Sequence, residues 1–223
     1  MTKSGYRLDW ETLKQDWPLW IVMIGLIVSA FFIYPHLPEQ VPSHWNLKGE
    51  VDSYMSRPQG AFVMPLTVLV LYLLMVIVPV IDPRRDNYVR FKNAYRLMRW
   101  SLVLFLGGLW VLTIMFSMGY DVNISLIVKA GVALLLAVIG NFMGQFRHNY
   151  FVGIKTPWTL ANEEVWHQTH RLGGRIWVAG GLVCLAMSPI NALWANYLYF
   201  ASIMVMALVP MAYSFILYRR IAA

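Results

Sequence analysis

Residues 176–218 read IWVAGGLVCLAMSPINALWANYLYFASIMVMALVPMAYSFILY, and this tract of 43 residues contains no charged side chain. As a single helix it would be about 65 Å long at about 1.5 Å per residue, which is roughly twice the apolar thickness of a bilayer. The tract must therefore fold back on itself. The break is Ser188-Pro189-Ile190-Asn191 through Asn196, because proline and two asparagines end one helix and begin the next. Two membrane spans are predicted here.

Four further apolar tracts precede this one along the chain. They are Leu19–Tyr34, Ala61–Ile81, Ser101–Tyr120 and Ser125–Phe146, and Lys129 is the one charged residue within them. The chain of 223 residues is 59% apolar and 13% charged and has a single cysteine. This composition excludes a disordered chain and a disulfide scaffold, and it disfavours a cytosolic enzyme. We predict an all-α membrane bundle of six transmembrane helices, forming a single integral membrane domain over residues 1–223.

Lys and Arg are distributed unequally between the two sides of this bundle. The N-terminal tail (1–17), the connections 82–100 and 147–175 and the C-terminus together hold 15 of them, whereas the connection 35–60 holds two. Cationic residues favour the cytoplasmic face of a membrane. Both termini are therefore predicted to be cytoplasmic, with 35–60 outside. The net charge of +7 follows from this topology, so we expect no direct binding of nucleic acid, and the first residues show no cleavable signal peptide.

The external connection reads PHLPEQVPSHWNLKGEVDSYMSRPQG over residues 35–60. Its four prolines exclude helix over most of its length, and residues 45–49 are typical of a turn. Its two histidines and three carboxylates could assemble a metal site, but their spacing matches no standard set of ligands. We therefore expect hydrogen-bonded turn formers or ligand contacts and predict no metal and no cofactor. The candidate ligand-binding residues are His36, His44, Trp45 and Asp52.

The last cytoplasmic connection, residues 147–175, begins at the inner end of the fourth span. Asn141 and Gln145 share one face of that end, where we expect their amides to point toward other helices or this connection. Gly153 and Pro157 break the chain. A short helix is predicted from about Asn162, as the N-cap, to Leu172, with Gly173-Gly174 ending it.

The faces of this short helix differ in chemistry. Its apolar positions are expected to face the bundle or the membrane, and His167, His170 and Arg171 to cluster on another side. Glu163, His167 and His170 share one face, which suggests metal binding or acid–base chemistry only loosely, because zinc-protease helices space their histidines four apart. We favour a packing and hydrogen-bonding module.

The connection 82–100 reads DPRRDNYVRFKNAYRLMRW. Tyr88, Phe91, Tyr95 and Met98 recur at helical spacing, so an amphipathic helix lined by six basic residues is predicted. One interpretation is an extension of the neighbouring span held against anionic lipid. The other is a docking surface for an acidic partner protein, centred on Arg90 and Lys92.

Two long stretches of the sequence carry a resemblance to a known family. The runs LPEQVPSHWNLKGEVDSY and GNFMGQFRHNYFVGIKTPWTLANEEVWHQTHRLGGR, together with DPRRDNYVRF, strongly resemble the SdpI family of bacterial membrane proteins. The matching positions of the outer run are Pro38, Pro42, His44, Gly49 and Asp52. Those of the inner run are Asn141, Asn149, Gly153, Thr156, Pro157, Trp158, Thr159, Leu160, Trp166, Thr169, His170 and Arg171. Ala161 stands where the family pattern has serine.

The resemblance implies a function in the bacterial cytoplasmic membrane. Members are described as polytopic immunity proteins against a secreted sporulation-delaying peptide toxin, and the founding system also captures a cytosolic repressor at the membrane. The expected partners are thus the lipid bilayer, a secreted peptide toxin and a cytosolic repressor. The candidate residues for the inner function are Asn141, Arg147, Asn149, Trp158, Glu164, Trp166, His170, Arg171, Arg90 and Lys92. The alternative is a small membrane enzyme or transporter that uses the polar inner connection.

Overall fold

We describe the protein from a computed structural model over residues 10–46 and 49–222. Its helices are α1 (Trp10–Lys14), α2 (Trp17–Ile33), α3 (Arg57–Ile81), α4 (Lys92–Ser117), α5 (Ile124–Met143), α6 (Pro157–Ala161), α7 (Glu163–Met187) and α8 (Leu193–Ala222). Two strands, β1 (Gln40–Trp45) and β2 (Val51–Ser56), lie between α2 and α3, and 3-10 turns cover Tyr34–His36 and Arg85–Phe91. Helix α1 lies in the segment predicted as a cytoplasmic tail, whose first nine residues are outside the description.

Among the residues that the structure describes, five helical segments are long and apolar enough to cross a membrane. They are Trp17–His36, Arg57–Ile81, Arg85–Ser117, Ile124–Met143 and Leu193–Ala222. The predicted fifth span belongs to α7, whose first half carries charged residues and whose uncharged part, Ile176–Met187, covers only about 18 Å at about 1.5 Å per residue. The chain is thus mostly helical with five candidate spans. The sixth span and the side of the termini stay predictions.

Helix α7 runs through Gly173-Gly174, where the sequence predicted that a short helix would end. The reason is close packing against α5. A Cβ atom on Gly174 would lie 2.7 Å from the Gly140 carbonyl oxygen, and one on Gly140 would lie 2.6 Å from the Cβ of Trp177. Small residues allow helix backbones to approach closely in membranes. The prediction of a helix end was therefore wrong, because these glycines serve the contact between two helices.

A buried ion pair ties the start of α2 to α4. Arg99 donates to the Asp16 carboxylate, and both side chains are almost fully buried. Trp100 Nε1 and Tyr72 Oη donate to the same carboxylate at 2.7 and 3.2 Å. The sequence analysis counted Arg99 among the basic residues lining the connection 82–100. That assignment was wrong for Arg99, because its charge is neutralised inside the bundle. This network is what a buried charge requires to be tolerated.

The predicted external loop contains an antiparallel β-hairpin, the two strands of an otherwise helical description. The prolines exclude helix but not a strand, because proline is tolerated in an edge strand and both strands of a two-stranded sheet are edge strands. Pro42 lies opposite Tyr54 in this sheet. Val41 is fully buried on α3, where a Cβ atom on Gly60 would lie 2.6 Å from the Val41 Cβ. Gly49 has φ +83° in the predicted turn, of which residues 47–48 lie outside the description.

The hairpin distinguishes the two ends of the bundle. We call the end that carries β1, β2 and the connections α4–α5 and α7–α8 the hairpin end. The opposite end, with residues 82–91 and 144–162, we call the signature end. Helices packed in the pairs α2–α3, α3–α4, α4–α5, α5–α7 and α7–α8 join the two ends.

Candidate functional site

A cavity of about 400 Å³ lies beneath the hairpin, between α3, α4, α5 and the start of α8. Its surface is mostly apolar. The lining residues are Pro42, Ser43, His44, Trp45, Asn46, Gly49, Met55, Gln59, Gly60, Val63, Met64, Leu109, Trp110, Leu112, Thr113, Ile124, Ser125, Val128, Lys129, Asn196 and Phe200. Strand β1 thus forms one wall of a cavity whose other walls are membrane helices.

Three of the four candidate ligand-binding residues are brought together at this cavity. His44 and Trp45 line it, and the His44 Nδ1 lies 2.5 Å from the Asp52 Oδ1 on the facing strand. Both members of this pair are largely exposed to solvent. His36 is not among the lining residues, and its Nδ1 lies 3.1 Å from the Phe32 carbonyl oxygen.

The indole nitrogen of Trp45 has no hydrogen-bond acceptor among the described residues. The Trp45 ring packs edge-on against Phe116, with centroids 5.9 Å apart. Its Nε1 is buried and has no hydrogen-bond partner within residues 10–46 and 49–222. A buried N–H donor without an acceptor is unfavourable, and such a group calls for an explanation.

The sequence did not predict that Lys129 and Asn196 belong to this cavity. Lys129 Nζ donates to Asn196 Oδ1 at 3.3 Å, which joins α5 to α8 across the cavity wall. The sequence analysis noted Lys129 only as the one charged residue within the first four apolar tracts. The available signal was its isolation, since it is the one charge in an apolar tract and ionisable residues within spans often mark functional sites.

At the signature end, Asn149 organises the connection between α5 and α6. Its side chain is fully buried. Its Oδ1 accepts from the N–H groups of Phe151 and Val152 at 2.9 and 2.7 Å, and its Nδ2 donates to the carbonyls of Arg147 and Val152 at 2.8 and 3.0 Å. One amide therefore satisfies four backbone groups, which fixes the shape of the loop.

Asp82 and Tyr88 connect that loop to the end of α3. The Tyr88 hydroxyl donates to the Asp82 carboxylate at 3.0 Å and lies 3.3 Å from Asn149 Oδ1. The same carboxylate accepts from the N–H groups of Tyr150 and Arg84 at 3.0 and 2.7 Å. Asp82 is 2% exposed. Sequence reasoning missed it, although a carboxylate directly after an apolar tract and before a proline was a visible signal.

Trp166 and His170 form the core of the signature end. Both are fully buried, and their rings stack with centroids 4.0 Å apart. Trp166 Nε1 donates to the Phe146 carbonyl at 2.9 Å. The Ile154 N–H donates to His170 Nε2 at 2.9 Å, so His170 Nδ1 carries the proton and donates to the Trp166 carbonyl at 2.8 Å. Burial lowers the pKa of His170 to about 4, because this site holds the neutral ring.

Burial corrects the interpretation of two residues at this end. His170 does not share a surface with Arg171, because its ring lies inside the fold while Arg171 is exposed. The amides of Asn141 and Gln145 are exposed rather than turned toward other helices. The face of α5 that meets α7 is occupied by Gly140 and Met143, where the close backbone approach leaves no space for an amide.

The remaining candidates at the signature end divide by exposure. Trp158 is half-buried, and its ring lies 4.9 Å from that of Phe215 in α8. Arg147 is half-buried. Arg90, Lys92, Glu164 and Arg171 are exposed.

A second, polar cavity of about 520 Å³ opens at the signature end. Its lining residues are Pro83, Arg84, Asp86, Asn87, Arg90, His148, Ala161 and Glu163. Burial and the nearby Arg84 charge lower the pKa of His148. Its two arginines and two carboxylates balance in charge. Among the described residues, no group of three or more His, Cys, Asp or Glu side chains is placed to hold a metal ion.

Comparison with known proteins shows which families this chain resembles. Residues 145–214 match the SdpI/YfhL protein family, and residues 20–69 match a domain of unknown function (DUF1648). The first match covers residues 145–162 of the signature end, α7 and most of α8, and the second covers most of α2, the hairpin and part of α3. The chain is similar to the protein named Immunity protein SdpI of Bacillus subtilis (strain 168), with 27% identity over 168 residues, 75% of this chain and 78% of that protein. No solved structure matches. The resemblance seen in the sequence is confirmed, and the chain is a multi-pass protein of the bacterial inner membrane.

Proposed function

We propose that this chain is a membrane immunity protein that protects the cell against a secreted antimicrobial peptide, because residues 145–214 match the SdpI/YfhL family and the chain is similar to an immunity protein. The cavity under the hairpin is the observation that carries the proposal. It is about 400 Å³ in volume and mostly apolar, and its lining includes the polar residues Gln59, Lys129 and Asn196. Sites of this size and chemistry are typical of ligand binding.

The proposal requires the hairpin end to face outward. The 15 to 2 distribution of Lys and Arg supports this orientation, and with it six spans and cytoplasmic termini. Single cysteines replace exposed residues in a Cys184→Ala background. Ser53→Cys and Asp121→Cys should react with an impermeant thiol reagent in intact cells, whereas Asn93→Cys and Lys155→Cys should react only after lysis. Reaction of the second pair in intact cells would reverse the orientation.

Survival of cells tests the immunity function directly. A strain lacking this protein should be killed by spent medium of a producing strain, and the wild-type chain should restore growth. Trp45→Ala should lower the protection because it removes one wall of the cavity. Tyr54→Ala provides the matched control, since Tyr54 is an exposed aromatic of the same hairpin that does not line the cavity. Equal protection by both variants would contradict a role for the cavity.

We also propose that the signature end recruits a cytosolic repressor. Arg90 is exposed in the 3-10 turn before α4, Lys92 at the first residue of α4, and Arg171 on α7, so this end would present basic side chains to the cytoplasm. Arg90→Glu with Lys92→Glu should abolish co-sedimentation of the repressor with membranes, and Arg220→Glu should not. If both changes lower the amount of inserted protein equally, these cations bind lipid and the docking surface is wrong.

The polar groups of the signature end give less support to an enzyme or a transporter. The side chains of Asn149, Asp82 and His170 are all hydrogen-bonded to the backbone of the connection that they hold in place. Groups engaged in this way stabilise the fold. We therefore favour binding and signalling over catalysis.

A further inference from the structure

We propose that the cavity at the hairpin end takes the carboxyl-terminal end of an apolar peptide and that Lys129 pairs with its terminal carboxylate. The inference rests on the proposed immunity function and names the part of the peptide that this site recognises. It assigns a ligand-binding role to Lys129, which was not among the candidate residues of the sequence analysis.

Lys129 carries a charge that the described fold does not neutralise. The ion pairs among residues 10–46 and 49–222 are Arg99–Asp16, His44–Asp52 and His167–Glu163, and none includes Lys129. Its hydrogen bond is to the neutral amide of Asn196. A half-buried cation within a membrane helix is unfavourable unless an anion or water compensates it. A carboxylate entering the cavity would supply that anion beside the Lys129 ammonium group.

A second donor lies in the wall of the same cavity. The indole Nε1 of Trp45 is buried without an acceptor in the described chain, and Trp45 lines the cavity from strand β1. Lys129 lies in α5, so the two donors come from different elements around the cavity. The ammonium group of Lys129, with no carboxylate among the described lining residues, makes the cavity complementary to an anionic acceptor such as a carboxylate.

The rest of the cavity fits apolar side chains. Its walls include Val63, Leu109, Trp110, Val128 and Phe200. A volume of about 400 Å³ lies at the low end of small-ligand pockets, which are about 300–1,000 Å³, so it holds a few residues rather than a folded domain. Gln59 and Ser125 add amide and hydroxyl groups to the wall. These suit the backbone of a peptide and have no counterpart on an alkyl chain, which is why we commit to a peptide rather than a fatty acid.

Two synthetic peptides that differ only at their end test the proposal. Acetyl-Leu-Leu-Phe with a free carboxylate and the same peptide with a terminal amide are titrated into the full chain in lipid nanodiscs, with tryptophan fluorescence as the readout. We expect the acid to bind at least tenfold more tightly than the amide. Lys129→Met should remove this preference, and Lys129→Arg should retain it. Lys155→Met is the matched control, because Lys155 is exposed at the opposite end.

Several outcomes would overturn the inference. The same acid-over-amide preference in Lys129→Met, or no binding of either peptide up to millimolar concentration, would exclude the proposed pairing. Dodecanoate that displaces the acid peptide and binds more tightly would identify the occupant as a lipid. Thermal unfolding of each variant establishes that it is folded.

The survival assay separates this inference from the proposed function. If the wild-type chain fails to protect cells, the immunity function is wrong whatever the peptides do. If the wild type protects and Lys129→Met protects equally, immunity stands but the carboxylate site is wrong. Loss of protection in Lys129→Met with retention in Lys129→Arg and Lys155→Met supports both.

Discussion

Asn149 and His170 at the signature end and Lys129 and Trp45 at the hairpin end use their polar atoms differently. The signature end also holds buried atoms without a described partner, Arg147 Nε and His148 Nε2. At the signature end, a single buried amide, Asn149, satisfies four backbone groups, and His170 uses both ring nitrogens within the fold. At the hairpin end, the Trp45 Nε1 has no described acceptor, and Lys129 has no described ion-pair partner. Groups that are fully satisfied, such as Asn149 and His170, stabilise a shape, whereas the ammonium group of Lys129, unpaired in the described chain, is available to a ligand at the cavity.

This difference indicates which residues should affect stability and which should affect binding. Substitutions of the buried, hydrogen-bonded residues at the signature end, such as Asn149, Trp166 and His170, should lower the free energy of unfolding and reduce function through loss of the folded protein. Substitutions at the hairpin cavity should change binding with little effect on unfolding. Thermal or denaturant unfolding in detergent, set beside function in cells, distinguishes the two classes.

The largest expected effect is that of Trp166→Ala. Trp166 is fully buried, stacks on His170 and donates to the Phe146 carbonyl. Removal of a buried aromatic side chain lowers the free energy of unfolding by about 3–5 kcal/mol. Trp194→Ala is the control, because Trp194 is 58% exposed. Trp166→Ala with wild-type unfolding but lost function would mean that Trp166 contacts a partner protein and that the contrast between the ends is wrong.

Gly153→Ala should have the next largest effect. Gly153 has φ +115°, and a Cβ atom there would lie 2.3 Å from His170 Nε2. The substitution therefore strains the backbone and displaces the ring that accepts from Ile154, for an expected loss of about 2–4 kcal/mol. Gly119→Ala isolates the strain, because Gly119 has φ +86° and no neighbouring atom within 4 Å. It should lose only about 1 kcal/mol. Equal losses would show that the His170 contact contributes nothing.

The membrane tracts could be predicted from sequence because burial of apolar residues in a bilayer depends on composition over about 20 residues. The tracts Ala61–Ile81 and Ser125–Phe146 accordingly fall on α3 and α5. The hairpin could not be predicted in the same way, since prolines indicate only what is excluded. Gly173-Gly174 were misjudged because a glycine pair ends an isolated helix but permits close packing in a bundle, and a single sequence does not distinguish the two.

The candidate sites were predictable only where neighbours in sequence are neighbours in space. Trp45 and His44 were found because the outer run is unusual along its own length. Lys129 and Asn196 lie on helices far apart in the chain, and their meeting depends on how α5 packs against α7 and α8. The burial of His170 likewise depends on residues 146–154 folding over α7. The pattern of apolar residues within α7 alone does not predict this contact.

Stability should also depend on pH through His170. Its pKa is about 4 in the fold and about 6.5 in an unfolded chain. The unfolded state therefore binds more protons between these values, so the contribution is fully present above about pH 6.5 and is lost as the pH falls toward 4. At pH 5 the loss is about 2 kcal/mol. Between pH 7.5 and pH 5, the free energy of unfolding should change less with pH in His170→Gln than in the wild type. Identical slopes would exclude His170 as the cause, and His148, whose pKa is lowered, would be the next residue to substitute.

The smallest expected effect on stability is that of Asp52→Asn in the hairpin. The pair His44–Asp52 is exposed, with 67% and 42% of the two side chains accessible, and exposed ion pairs contribute about 0–1 kcal/mol. Unfolding should therefore shift by less than about 1 kcal/mol, within the uncertainty of most detergent measurements. Protection against the secreted peptide should nevertheless fall, because this pair orients His44 at the wall of the cavity. Ser53→Ala, a change on the same strand that leaves His44 and Asp52 intact, is the control. If Asp52→Asn destabilised the protein as much as Gly153→Ala does, the hairpin would stabilise the fold as the signature end does. The proposed difference between a stabilising end and a ligand-binding end would then be wrong.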